Sequence, residues 1–248
     1  MFRSLGDIIL LGWRTLASLP HAWHQRRKVA DQLFEIGNAS LFMACLLSLF
    51  IGGVLALQSG PRLAERGISG LLGGLVGLSM TEELAPVMMS ILIAGRIGSA
   101  MAAEIGSMRV YQEIDALRTM DINPVHYLVL PRMVAITVGL PMLVIFSMLV
   151  GWTGGAIVAV GNRDIGLTAA EYFNNLRESI EGFDIAKGFI KSVVFAMCVG
   201  LVSCHHGLQT TGGPREIGRS VTKAVVDSIV LILILDYVLT RFLLLFDF

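Results

Sequence analysis

The amino-acid sequence predicts an all-α integral membrane protein of about five transmembrane helices, with an amino-terminal interfacial helix and a short cytoplasmic helix between the second and third spans. Three observations carry this. Apolar residues make up 54% of the chain and charged residues 15%, whereas soluble domains carry charge on roughly a quarter of their residues. The apolar residues collect in runs long enough to cross ~30 Å of hydrocarbon, which takes about 20 helical residues. The segments between those runs share Lys and Arg unevenly, as the two sides of a membrane require.

Residues 1–38 form the first segment. Leu5, Ile8, Ile9, Trp13 and Leu16 recur at helical spacing and are followed by the basic cluster His24-Gln25-Arg26-Arg27-Lys28. That pattern fits a helix lying in the headgroup layer, with a first helix packed on its neighbours as the alternative. Asp7 and Arg14 interrupt the apolar stretch and no small-residue cleavage site follows, so the segment does not read as a cleaved signal peptide.

Residues 39–248 form the membrane domain, with spans expected at about 39–58, 68–103, 128–160, 188–204 and 221–246. The second is too long for one straight crossing, since 36 residues rise roughly 54 Å. It must tilt, break or project, and Thr81-Glu82-Glu83 followed by Pro86 supplies a place to kink. With the amino terminus in the cytoplasm, segments 1–38, 96–132 and 204–223 hold 12 basic residues against 7 in the outer segments, which sets the orientation.

Two short helices are expected between spans. In the outer segment 161–187, Thr168-Ala169-Ala170-Glu171 is a capping-box pattern and Gly182 a stop; the helix either docks a partner or caps the membrane domain. From Met108 to Met120, Val110, Tyr111, Ile114, Leu117 and Met120 share one half of a helix that Asn123-Pro124 ends. It reads either as a docking helix for a cytoplasmic protein or as a surface loop with a helical turn.

Ionisable residues at membrane depth are functional candidates, because a charge in hydrocarbon needs a cavity or a partner. Glu82, Glu83, Lys191 and Asp236 are the set here, lining a polar path or pairing to hold the bundle. Gly70, Gly73, Gly74 and Gly77, then Gly95, Gly98, Ala102 and Gly106, and Gly151, Gly154 and Gly155 are small residues that let helices approach closely, Gly73-x-x-x-Gly77 and Gly98-x-x-x-Ala102 having the small-xxx-small spacing. None of them forms GxGxxG after a strand, and GxxxxGK[ST] is absent from the sequence, so any ATP-driven work needs another chain. The formal charge is zero, which gives no footprint for nucleic acid. Cys45, Cys198 and Cys204 lack disulfide or zinc spacing and read as small core residues. Ser79 and the pair His205-His206 offer no nucleophile with a base, so an intramembrane enzyme is disfavoured. An autonomous secondary carrier or channel using the Glu/Lys/Asp set is the main competing function; against it, no inverted repeat is evident.

The runs Glu83-Leu84-Ala85-Pro86, Ala94-Gly95-Arg96-Ile97-Gly98-Ser99-Ala100, Ala103 through Arg109, Glu113-Ile114-Asp115-Ala116-Leu117, Asn123-Pro124 and Pro131-Arg132 together resemble the signature of the MlaE/YrbE permease family. Ile190 through Phe195 and Leu235 through Thr240 are similar to it as well, and the resemblance covers nearly all of the chain from about Gln32. The resemblance implies the membrane subunit of an ABC transporter that moves phospholipids between a bacterial inner membrane and the outer envelope. It implies a homodimer, a cytoplasmic ATPase that binds the ATP and Mg, an extracytoplasmic MCE-domain protein and often a STAS-domain protein, with no cofactor on this chain. Relatives in plastid envelopes carry other lipids. The helix over 108–120 becomes the coupling helix, with Arg109, Glu113, Ile114, Asp115, Leu117 and Met120 at the ATPase, and Glu82, Glu83, Lys191 and Asp236 beside the lipid path. Glu82 departs from the pattern, some relatives having a basic residue there.

Overall fold

Four helices in the computed structural model, which describes residues 2–17 and 26–246, are long and apolar enough to cross a membrane. In chain order the helices are α1 (Phe2–Ala17), α2 (Arg26–Glu65), α3 (Ser69–Val110), α4 (Glu113–Thr119), α5 (Val125–Gly161), α6 (Ala169–Ser179), α7 (Gly182–Leu208) and α8 (Pro214–Leu243). The all-α expectation holds among the described residues, and α2, α3, α5 and α7 are the four crossing candidates. The fifth expected span, 221–246, falls in α8, a 30-residue helix in which every 18-residue stretch carries at least three of its charged residues. Lys223, Asp227, Asp236 and Arg241 are what separate it from the others.

Two boundaries differ from the sequence reading. Within the expected interfacial segment 1–38 the described residues form α1 as a separate helix, with Ile9, Leu10 and Trp13 exposed. Arg26, Arg27 and Lys28 instead open α2, a continuous 40-residue helix that runs through the first span and past Pro61; the rest of the basic cluster, His24 and Gln25, lies outside the described residues. Gly182 does not stop α6, which ends at Ser179; it starts α7.

The second span does not break. Across its 42 residues α3 keeps helical hydrogen bonding and widens twice to an i→i+5 pattern, at Met80–Leu84 and Ala94–Gly98, where Ala85 N–H reaches the Met80 carbonyl and Ser99 N–H the Ala94 carbonyl. A helix of that length rises roughly 63 Å, about twice the ~30 Å of hydrocarbon.

The chain divides into two compact units. Unit one comprises Met1–Ala39, Ser90–Leu140 and Val193–Phe248, and contains the three segments that the basic-residue bias assigns to the cytoplasm. Here the small residues of α3 receive α7 and the start of α8: a side chain at Gly98 would strike Val199 and Ser203, and one at Gly106 would meet Thr210. Glu104 of α3 takes a 2.8 Å ion pair from buried Arg132 of α5.

Unit two comprises Ser40–Met89 and Pro141–Ser192. α2 and α5 cross at glycine, with Gly52 against the Gly151 carbonyl and Gly154 against the Leu49 carbonyl, beside a buried Ser48–Ser147 hydroxyl pair at 2.6 Å. α6 has the expected capping box, Thr168 Oγ1 accepting from Glu171 N–H while the Glu171 carboxylate accepts from Thr168 N–H. It lies along the first turns of α3. Gly73 faces the Tyr172 carbonyl, and Gly74 N–H donates to Asn175 Oδ1 at 2.6 Å. The Gly73-x-x-x-Gly77 spacing therefore serves the short helix, which caps this unit. Burial holds the Tyr172 phenol above the ordinary tyrosine range.

Candidate functional site

The residues at the first widening of α3 gather an ion-paired cluster. Proline at position 86 has no N–H to give the carbonyl four residues back, which belongs to Glu82. Lys191 of α7 fills that role, its Nζ donating to the Glu82 carbonyl at 3.0 Å and to Glu83 Oε1 at 2.7 Å. One turn earlier on α7, Lys187 Nζ donates to Glu82 Oε1 at 2.9 Å and to Asp184 Oδ1 at 3.1 Å. Gly188 lies between them, and a side chain there would strike the Thr81 carbonyl. The absent side chain lets α7 come close enough for both lysines to reach.

The cluster holds three carboxylates and two ammonium groups, a formal charge of minus one. Its cations are inside: Lys191 is 2% exposed and Lys187 5%. The Glu82 and Glu83 side chains are 32% and 39% exposed. A half-exposed carboxylate edge backed by buried lysines can meet a polar or cationic group. Helix widenings of this kind recur at functional sites.

Three of the four expected path residues are thus brought together. Asp236 is half-buried on α8, in unit one. Lys187 and Asp184 were missed, although Asp184, Lys187 and Lys191 stand at i, i+3 and i+7, one face of a helix. The signal was hidden by placing the start of the fourth span at Gly188, six residues beyond the true start of α7.

The expected coupling helix over 108–120 is two pieces. α3 runs on to Val110, Gln112 adopts a left-handed φ of 61°, and α4 spans seven residues from Glu113. α4 ends at Thr119 with Asp121 left-handed. Asn123-Pro124 instead begins α5, Asn123 Oδ1 accepting from Val125 N–H at 3.0 Å. The six expected contact residues divide. Arg109 Nη1 binds Asp115 Oδ1 at 2.6 Å, Arg118 reaches the same oxygen at 3.5 Å, and Ile114 is fully buried. These hold α4 onto its support. Glu113 and Met120 face outward with Tyr111, and Leu117 is half-buried. The His205-His206 rings lie 5.6 Å apart, and His206 Nε2 pairs with Asp227 at 2.8 Å, a helix-to-helix contact between α7 and α8.

Helices long enough to cross a bilayer, a charged cluster buried among them and a short helix braced at the end of α3 define a polytopic membrane protein of permease type. A family model described as Permease MlaE matches residues 29–242, and the chain belongs to that family. It is 35% identical over 239 residues to a probable ABC transporter permease protein of Rickettsia felis, covering 96% of this chain and 92% of the relative. It is 32% identical to the intermembrane phospholipid transport system permease protein MlaE of Haemophilus influenzae, over 96% of this chain and 91% of that one. The chloroplastic protein trigalactosyldiacylglycerol 1 of Arabidopsis thaliana is 35% identical over 98% of this chain and 68% of its own length.

Proposed function

We propose that this chain is the permease subunit of an ABC transporter moving phospholipids between a bacterial inner membrane and the outer envelope. It acts as a homodimer, with a cytoplasmic ATPase binding ATP and Mg, an MCE-domain protein on the outer side and, in some assemblies, a STAS-domain protein on the ATPase. The Haemophilus relative's name assigns that protein to phospholipid transport between membranes, which supports the lipid class.

The observation that carries the reading is α4. A seven-residue helix is braced by Arg109, Asp115 and Ile114 at the end of a 42-residue helix and turns Tyr111, Glu113 and Met120 outward. A chain without a phosphate-binding loop has no use of its own for such a lever. A partner that closes on ATP pushes on α4, at the end of the helix that also carries Glu82 and Glu83, and the lipid headgroup passes at the cluster those two form with Lys187 and Lys191. Such a lever biases a two-state element from one end.

Purification from native membranes tests this. Mass spectrometry should find a P-loop ATPase and bound phospholipid with the chain. Glu113→Lys combined with Met120→Asp, both at exposed positions, should remove the ATPase while leaving the chain in the membrane. Gradient-driven flux by the chain alone, with no ATPase recovered, would overturn the reading.

A further inference from the structure

Unit one contains a second polar site that the transport path does not use. A pocket of about 210 Å³ opens between the early turns of α2 and α5, lined by Lys28, Asp31 and Gln32 on one side and Tyr127, Leu128 and Arg132 on the other. Lys28 Nζ lies 3.3 Å above the centre of the Tyr127 ring. Arg132 is 8% exposed; its Nη2 donates to Glu104 at 2.8 Å and its Nη1 to the Leu128 carbonyl at 3.2 Å. Its Nε is buried and finds no acceptor among the described residues, and a buried guanidinium N–H calls for one.

An apolar groove follows further along α5, sharing no lining residue with the pocket. Tyr127, Pro131, Val134 and Val138 recur at four- and three-residue spacing along α5, the first two lining the pocket and the last two the groove. The groove is completed by Gly12 and Thr15 of α1 and by Met197 and Leu201 of α7. Its threonines do not make it polar: Thr15 donates to the Leu11 carbonyl and Thr137 to the Met133 carbonyl, each within its own helix. From Tyr127 to Val138 the helix rises roughly 16 Å, about half of the ~30 Å of hydrocarbon, or one leaflet. α1, with Ile9, Leu10 and Trp13 exposed, packs on the first turn of α5, the arrangement of a helix at headgroup depth.

We propose that pocket and groove together bind one phospholipid of the cytoplasmic leaflet, its phosphate at Lys28 and Arg132 and an acyl chain along Val134 and Val138. Asp31, a carboxylate on the pocket wall, suits a headgroup that also carries an ammonium, so the preferred lipid is zwitterionic. The site stands whether or not the chain's transport substrate is a phospholipid, since it shares no residue with the cluster at Glu83 and Lys191.

Photolabelling of the full chain in nanodiscs tests this, using a phosphatidylethanolamine with a diazirine near the glycerol end of one acyl chain. Labels should map to peptides covering residues 26–32 and 125–138. Lys28→Ala, at an exposed position, and Arg132→Lys, which keeps a charge opposite Glu104, should each cut that labelling about tenfold, the loss of one charge-assisted contact. Asp31→Asn should remove the preference over a matching phosphatidylglycerol probe. The same variants should leave labelling near Glu83 unchanged. Labelling that survives Lys28→Ala, or that inorganic phosphate competes away as well as lipid does, would overturn the proposal, the second outcome marking a site for soluble phosphate.

Discussion

Lys191 and Glu83 form one ion pair but occupy unequal surroundings, the lysine 2% exposed and the glutamate side chain 39%. Removing the Glu83 carboxylate takes the charged acceptor from a buried cation and leaves it the Glu82 carbonyl at 3.0 Å, whereas removing the cation leaves a carboxylate that polar surroundings still reach. Breaking a buried pair costs about 3–5 kcal/mol at its most expensive, and partial exposure of the glutamate lowers that figure. Glu83→Gln should therefore lower the thermal midpoint in detergent more than Lys191→Met does; equal losses would show that the two ends are equally solvated. Glu82, Glu83 and Lys191 were legible in the sequence because charges stand out in apolar runs. The reason they meet was only half legible: Pro86 marks a carbonyl without its helical donor, but nothing local says which side chain supplies the replacement. The Glu104–Arg132 pair, 28 residues apart, was hidden for the same reason. Outside the spans, Thr168 N–H and its hydroxyl hold the Glu171 carboxyl below the ordinary glutamate value of 4.5. A depressed folded-state pKa adds stability above the unfolded value and loses it as pH falls through the folded one. Amide exchange in α6 should accordingly rise below about pH 4.5 relative to a Glu171→Gln variant, in which the acid dependence should vanish.

At the scale of elements, periodicity located the helices better than it located their joints. The capping box gave α6 its start because hydroxyl and carboxylate at fixed spacing are a local device. α4 was drawn too long because the apolar pattern continues from Val110 through Ile114 across Gln112, and one left-handed residue leaves no mark on periodicity. α2 was drawn too short because a charged first turn looks like a loop until the helix is seen to continue from it. Glycines were read as close-approach points, which most are, although a side chain at Gly70 or Gly95 would meet nothing within 4 Å; where they do approach, the partner could be any helix. Gly73 selects α6, with the Tyr172 carbonyl where a Cβ would stand. Gly73→Val should push α6 off α3 and cost about 1–3 kcal/mol, the usual range for overpacking a tight contact. Faster proteolysis between residues 162 and 181, with the remaining helices intact, is the expected readout.

For the whole molecule the deciding element is α3, which supplies residues to both units and holds the cluster near its middle and the α4 brace at its end. A widened turn is one residue inserted into an α-helix, accommodated by an i→i+5 bond. Deleting a residue inside the widening at Met80–Leu84 restores ordinary helix while keeping the phase of everything after it. Deleting one from the regular stretch before it, such as Leu75, rotates every later side chain by roughly 100°, one residue of a 3.6-residue turn, and takes Ala102, Gly106 and Glu104 off their partners. The two deletions separate folding from function. Loss of Leu75 should abolish a monodisperse peak in detergent. Loss of Glu82 should keep the peak and the ATPase partner, because the brace at Arg109 and Asp115 keeps its phase, yet abolish ATP-dependent lipid movement in proteoliposomes, because Lys187 and Lys191 lose the geometry that the widened turn gave them. Normal lipid movement after the Glu82 deletion would mean that the widening is a packing device and that the route for lipid lies elsewhere.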